Sequence, residues 1–189
     1  MNYLGQSPEP DESGTGAIEF GLQVHSAMAG DASAIAAAQR EREKFEASPL
    51  GQRAARATRI EREFDVLFPV EDVVLRGQID LWFEEGGELL LVDYKTDHDT
   101  SRASSYSLQL QLYAMALERY AGRLPNRAIL YYVRSEQPVE VSLANLDEAR
   151  QKVREMRNAQ ESLIFSLQPG SQCLKCPFYQ GLCPQPKIE

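Results

Sequence analysis

The sequence predicts an α/β protein in which helices and strands alternate along the chain. Three observations carry that prediction. Leu75 to Thr96, LRGQIDLWFEEGGELLLVDYKT, reads as two strands joined at Gly86-Gly87, a strong hairpin dipeptide. Ser104 to Gly122, SSYSLQLQLYAMALERYAG, reads as a helix, with Leu108, Leu112 and Met115 on one stripe and Gln109, Tyr113 and Tyr120 on an adjoining face. Around these, patterns follow one another in the order helix, three strands, helix, strand, helix.

Length and composition bound the possibilities. A chain of 189 residues is sized for one domain with its own core. Its 43% hydrophobic and 25% charged residues are those of a globular protein. No apolar run approaches the ~20 residues of a membrane span, and the N-terminus lacks the apolar core of a signal peptide. Three cysteines, an odd number, argue against a secreted disulfide framework. A cytoplasmic protein is expected. The net charge of -8, from 20 basic and 28 acidic residues, is unusual for a free-standing nucleic-acid binder, whose surface is normally basic.

In chain order, residues 1–15 are rich in Pro, Gly, Ser and acids and read as a flexible leader. From Gly16 to Ala29 the spacing of Ile18, Leu22 and Met28 predicts a helix, with His25 near its apolar side. By itself such a histidine reads as a core or surface residue. Residues 31–57 carry alanine-rich helical patterns that Pro49 breaks. Arg40, Arg42, Lys44, Arg53 and Arg56, with Arg59 just beyond, are the main basic concentration. They form either a nucleic-acid contact or a solvated face with Glu41, Glu43 and Glu46 interleaved. Thr58 to Val70 alternates around Ile60, Phe64, Val66 and Phe68 and reads as a strand, with Glu61 and Glu63 on one side. Asn126 to Arg134 is another strand, and Pro138 to Leu143 a short one. Ala144 to Leu167 is an amphipathic helix whose leading residues Asn145 and Asp147 can cap it.

The hairpin carries the chemistry. With the two glycines at the turn centre, Leu81 faces Val92, Phe83 faces Leu90 and Ile79 faces Tyr94, apolar against apolar. On the other face Asp80 falls opposite Asp93, and Lys95 projects to the same side as Asp93. Directly opposed side chains have Cβ atoms about 5 Å apart, where like charges destabilise the pair. Either carboxylate alone reads as a solvated strand or loop residue. Together, at the end of the apolar run Leu89 to Val92, they call for a partner or a cation. Hard cations such as Mg²⁺ prefer carboxylate and carbonyl oxygen, and the Tyr94 backbone carbonyl lies between Asp93 and Lys95. An ammonium beside such an ion orients a water or balances charge building on a phosphate.

Gly77-Gln78-Ile79-Asp80, then Asp93-Tyr94-Lys95-Thr96, then Gln109-Leu110-Gln111-Leu112-Tyr113 resemble the G-x-I/V-D, D-x-K and Q-x-x-x-Y motifs of RecB-like nucleases, which belong to the PD-(D/E)XK superfamily. The three occur in the family's order, and the resemblance runs from about Gly16 to Pro184. It points in particular to the nuclease domains at the C-termini of UvrD-like helicases, as in AddA-type proteins and RecB. The resemblance implies a PD-(D/E)XK, restriction-endonuclease-like core, a mixed central sheet flanked by helices. The nuclease domain would span residues 16–168, and residues 169–189 would be a cysteine-containing tail packed on it. The implied activity is metal-dependent hydrolysis of DNA, with Asp80, Asp93, Lys95, Gln109 and Tyr113 as catalytic residues. Gly21-Leu22-Gln23-Val24-His25 matches the family's G-x-x-x-H helix, whose histidine is a metal ligand. His25 would then join Asp80, Asp93 and the Tyr94 carbonyl around Mg²⁺ or Mn²⁺, and imidazole is the more natural partner for Mn²⁺. The stretch before the G-x-I-D strand also resembles the family, which leaves Glu63 either near that site or on an exposed strand face. The implied setting is an exonuclease on single-stranded DNA, fed by a helicase domain of the same parent protein or complex, in DNA repair or recombination. A motor that holds the DNA would also account for the acidic balance. The alternative is a degenerate nuclease-fold module that binds DNA or a partner without cutting. Its mark would be a lost motif residue, whereas Asp80, Asp93 and Lys95 are all present.

Cys173, Cys176 and Cys183, followed by Pro184, have the ligand-like spacing C-x2-C-x6-C. Family members with such a tail hold a [4Fe-4S] cluster, using a fourth cysteine before the histidine helix. This sequence has no cysteine there, so the set for iron-sulfur or zinc is incomplete. An outside ligand, a substitute such as His98, and a metal-free reduced tail remain open.

Overall fold

Two left-handed glycines set the frame. Gly86 (φ 62°) and Gly87 (φ 84°) turn β2 (Val73–Glu85) back onto β3 (Glu88–Lys95). Positive φ at both central positions is what a type I′ turn requires. The register follows from the turn: Leu81 pairs with Val92 and Phe83 with Leu90, as the sequence predicts. The computed structural model describes residues 14–97 and 100–164, with Gly170, Cys173, Leu174, Cys176, Gly181 and Cys183. Most of the expected leader, His98 and most of the cysteine tail lie outside the described residues.

The sheet has the order β1-β2-β3-β4-β5, with β1 (Arg59–Val70), β4 (Arg127–Tyr132) and β5 (Gln137–Val141) completing it. β3 and β4 are parallel and the other neighbours antiparallel, so the sheet is mixed. A parallel pair needs a crossover, and α4 (Ala103–Ala121) supplies it. α5 (Leu146–Ser162) shares that face, where Leu110, Ala114, Leu117, Ala149 and Val153 pack with Ile79, Trp82, Leu91 and Leu130. The other face is covered by α1 (Gly14–Ala29), α2 (Ala36–Ala47) and α3 (Pro49–Ala55). There Phe20, Val24, Ala27 and Phe45 pack with Leu81, Phe83, Leu90, Val92 and Tyr94. β3 and β4 are buried on both sides, which is why LLLV and AILYY are unbroken apolar runs. Pro49 starts α3 rather than merely ending α2: it sits at the first helical position, and Ser48 Oγ accepts from the Gly51 N–H. Among the described residues no helix is long and apolar enough to cross a membrane.

The structure corrects four details. The buried stripe of α1 is Phe20, Val24 and Ala27, while Ile18 and Leu22 are 69% and 67% exposed. That helix offers two apolar stripes, and the aromatic one docks. In α4 the deepest residues are Leu110, Ala114 and Leu117, and Leu108 and Leu112 flank them. α5 ends at Ser162, where Leu163 turns left-handed (φ 55°). Asn145 occupies its N-cap position without capping, because its side-chain amide donates to Glu148.

One irregularity positions the site. β1 and β2 pair from Arg59–Glu84 to Arg62–Leu81 and resume at Phe64–Ile79, with Glu63 and Asp80 left out of the ladder. Glu63 is left-handed (φ 47°). In an unbroken strand Ile60 and Phe64 would share a face. Instead Ile60 packs on the α1–α3 side and Phe64 on the α4–α5 side. β2 switches in step: Leu81 and Phe83 face α1–α3, and Ile79 faces α4. The expected common face for Ile79, Leu81 and Phe83 is therefore split at Asp80, where one residue of each strand leaves the ladder and the register is unchanged.

Candidate active site

β2 and β3 part company beyond Leu81–Val92. From there β2 stays with β1, while β3 continues beside β4 to Lys95. Asp80 fills the notch between them: its Oδ2 accepts from the Tyr94 N–H at 2.7 Å. The splay frees that amide from the sheet ladder, and a buried donor must find an acceptor. Asp80 is 7% exposed and Asp93 2%, so both sequence-predicted carboxylates are buried at the notch.

Asp93 and Lys95 lie on the α4 side of β3, with Lys95 Nζ 2.6 Å from Asp93 Oδ2. Nζ also donates to Gln109 Oε1 at 3.2 Å, and Gln109 Nε2 donates to Tyr113 Oη at 3.3 Å. The i, i+4 spacing on α4 makes that second bond possible. Tyr113 in turn lies over Gly77: a Cβ there would stand 2.6 Å from Tyr113 Cε1. The glycine of G-x-I-D and the tyrosine of Q-x-x-x-Y are thus two halves of one contact. Gly77→Ala is expected to destabilise the fold by about 1–3 kcal/mol, the usual range for overpacking. In urea melts, pairing it with Tyr113→Ala should recover much of that loss. Fully additive losses would show that the contact is not the cause.

On the α1 side, His25, Glu63 and Asp80 each bring a ligand atom within 4.8 Å of the others. Leu22, Ser26, Ala29 and Gln78 complete the open cleft around them. Gly21 lets α1 approach the end of β3, since a Cβ at that position would stand 3.3 Å from Thr96 Oγ1. His25 Nδ1 is 3.2 Å from Asp80 Oδ1, and its ring meets Tyr94 edge-on. Glu63 Oε1 is buried and has no hydrogen-bond partner among the described residues. An orphaned carboxylate oxygen beside a second carboxylate and an imidazole is a donor set that fits a divalent cation.

Proton affinities follow the crowding. Burial, then the charge of Asp80, lift the Asp93 carboxyl to about 6 despite Lys95. Burial and Asp80 raise Glu63 as well. For His25, burial opposes the charged ring, but the hydrogen bond and charge of Asp80, with Glu63 and Asp93 beyond, leave its pKa raised.

All the sequence-predicted residues outside the tail converge here. The ligand-spaced group, however, takes Glu63, while Asp93 sits beside Lys95, and the Tyr94 N–H donates to Asp80. In the sequence Glu63 has two strand readings, since left-handed backbone at a glutamate leaves no periodic signal. Gln78 lies inside G-x-I-D without a signal of its own; its amide donates to the Glu63 carbonyl at 3.3 Å and holds the distorted residue. The basic concentration resolves largely toward a self-paired surface: Arg42 pairs with Glu46, Lys44 with Glu41, and Arg53 with Glu85 and Glu88. Arg59 instead stacks on Trp82 and Tyr120. Cys173, Cys176 and Cys183 are free thiols. Among the described residues they do not gather into a ligand-spaced group.

The fold, the notch carboxylates and the lysine beside them define a class, and the sequence agrees. The chain matches the PD-(D/E)XK nuclease superfamily over residues 30–184 and belongs to it. Within that class it is a RecB-like domain similar to parts of much longer proteins. An ATP-dependent helicase/nuclease subunit of the AddA type from Carboxydothermus hydrogenoformans is 35% identical over 113 residues, covering 50% of this chain and 10% of that relative. Its counterpart from Bacillus pumilus is 33% identical over 124 residues, covering 52% and 10%. The chain therefore spans about a tenth of the length of these curated relatives. A crystal structure of a candidate exonuclease from Eubacterium rectale superposes with a TM-score of 0.58 at 12% identity, over 94% of this chain and 79% of that one, a likeness of fold.

Proposed function

We propose that the chain is a divalent-metal-dependent deoxyribonuclease domain, an exonuclease on single-stranded DNA that works in the cytoplasm with a UvrD-like helicase in DNA repair and recombination. The observation that carries this reading is Asp80, which joins the His25–Glu63 group on one side to the Asp93–Lys95 pair on the other. In this reading His25, Asp80, Asp93, Glu63 and the Tyr94 carbonyl hold Mg²⁺ or Mn²⁺. Such an ion supplies polarisation of the scissile phosphate and a water of lowered pKa.

The chain's own residues do the rest. The Lys95 ammonium lies between the Asp93 carboxylate and the Gln109 carbonyl, where it meets charge developing on a phosphate or orients the attacking water. Gln109 is fixed from behind by Tyr113, so the ammonium has little freedom to swing away. The self-paired arginines and the acidic balance support delivery of DNA by another domain, so weak DNA affinity of this chain alone is expected. The test is degradation of single- and double-stranded DNA with Mg²⁺ or Mn²⁺, with and without chelator, by the wild type and by Asp80→Asn. Cutting that stops with chelator and falls at least about a hundredfold in the variant supports the reading, given the scale of losing one charge-stabilising group. Cutting insensitive to both would sink it.

A further inference from the structure

We propose that Tyr106 is a positioning residue for Lys95: its ring face seats the ammonium and fixes it between Asp93 and Gln109. The inference rests on the nuclease reading above, and it concerns a residue outside the three motifs. Tyr106 lies in the first turn of α4, three residues before Gln109, so both reach toward the end of β3 from one helix face. Lys95 Nζ stands 4.1 Å from the centre of the Tyr106 ring. That is well inside the ~6 Å reach of a cation–π contact.

An ammonium has three N–H donors. At Lys95 two have oxygen neighbours, Asp93 Oδ2 at 2.6 Å and Gln109 Oε1 at 3.2 Å. The Tyr106 ring is the third neighbour. A second carboxylate in that place would neutralise the charge that a phosphate needs. A π face holds the cation and leaves its formal charge intact. Lys95 is only 12% exposed, so water does little to screen the contact.

The ring is itself braced. Tyr106 Oη donates to Asp97 Oδ2 at 2.8 Å. Burial, together with that bond, pushes the phenol up to about 12, so it remains a donor at neutral pH. The Arg102 guanidinium holds Asp97 Oδ1 at 3.5 Å and lies 5.5 Å from the ring centre. Asp97 therefore ties the start of α4 to the chain two residues beyond Lys95. Simple packing would explain a bulky apolar residue at 106. It would not explain a ring centred on the ammonium and anchored by its hydroxyl.

The test separates ring electronics from bulk. DNA degradation is measured for Tyr106→Leu, for Tyr106→Phe, and for the chain carrying pentafluorophenylalanine at 106, whose ring has the same shape and a reversed quadrupole. Tyr106→Leu is expected to lower kcat about tenfold with KM little changed, the scale of one partly desolvated cation–π contact. Tyr106→Phe should recover most of the activity, and the fluorinated ring should behave like Leu. A second measurement needs no catalysis. With ¹³Cε-labelled lysine the chain's five lysines give separate signals, and that of Lys95, assigned by its loss in Lys95→Arg, should be displaced upfield by the ring current. The displacement should persist in Tyr106→Phe and vanish in Tyr106→Leu. Wild-type kcat in Tyr106→Leu, equal rates with the two aromatic replacements, or no displaced lysine signal in the wild type would each overturn the proposal. A wild type that cuts no DNA overturns the nuclease reading. The NMR comparison then reports on the seat by itself.

Discussion

Lys95→Ala is expected to lower metal-dependent DNA cutting by roughly a hundred- to a thousandfold, the scale seen when one preorganised electrostatic stabiliser is removed. The size follows from how firmly the ammonium is held. It lies between Asp93 at 2.6 Å, Gln109 at 3.2 Å and the Tyr106 ring, and none of these can replace its charge. The variant should still fold. Asp93 already binds a proton more tightly than an ordinary aspartate, so without Lys95 it takes up a proton rather than remaining as a bare buried charge. Rates are best compared near pH 8 with saturating Mn²⁺ and labelled single strands, beside a thermal melt of each protein. A variant that melts like wild type and cuts a hundredfold more slowly locates the chemistry at the end of β3. A folded variant that cuts at the wild-type rate removes Lys95 from the mechanism. Lys95→Arg should also be slow, because the wider guanidinium fork does not fit the place of a point charge.

What was legible in the sequence divides along physical lines. The hairpin register was readable because Gly86-Gly87 specify the turn, and the turn specifies every pair up to Leu81–Val92. The motif residues were readable because Asp80, Asp93 and Lys95 are charges in an apolar strand context, which is costly without a function. The splay past Leu81 was not readable, since it depends on β3 choosing β4 over β2, a choice made 30 or more residues further along the chain. The left-handed Glu63 was hidden for a related reason: the distortion exists only where β1 pairs with β2 around Asp80. For the same reason alternation alone put Ile79 on the face of Leu81. The family resemblance singles out His25, which composition alone does not, and the structure brings that histidine to Asp80 through α1 packing by Phe20, Val24 and Ala27. Composition had offered two readings of the arginines around residues 40–59. Only the folded geometry, which lays Arg53 across Glu85 and Glu88, shows how far they are already paired.

Without divalent ions, the folded chain is expected to lose stability as the pH rises from about 5 to 8. Three groups of one cluster set the sign. Asp93 rises from 3.8 to about 6, and Glu63 and His25 are raised from 4.5 and 6.5. Each binds its proton more tightly in the folded chain than in the unfolded one. Such a group stabilises the fold fully below its unfolded pKa, and that stabilisation is lost as the pH climbs through the folded value. For Asp93 the loss falls between 3.8 and about 6, and is of the order of 3 kcal/mol at ~1.4 kcal/mol per pKa unit. His25 extends the decline above 6.5. The carboxylates that are lowered instead, Asp31, Glu85 and Glu155, act from 4.5 downward, outside this window. A divalent cation competes with these protons for the same oxygens and the same ring. Its stabilisation, which grows as RT ln(1 + [L]/Kd), should therefore be larger at pH 8 than at pH 5. Urea melts at pH 5, 6.5 and 8, in chelator and in Mn²⁺, read both effects. Asp93→Asn should flatten the metal-free profile below about 6. Metal-free stability that rises with pH, or a Mn²⁺ effect equal at pH 5 and 8, would mean that the cluster neither holds these protons nor exchanges them for an ion. If both outcomes are met, the crowding that destabilises the metal-free fold at neutral pH is the same crowding that suits the proposed notch to a cation.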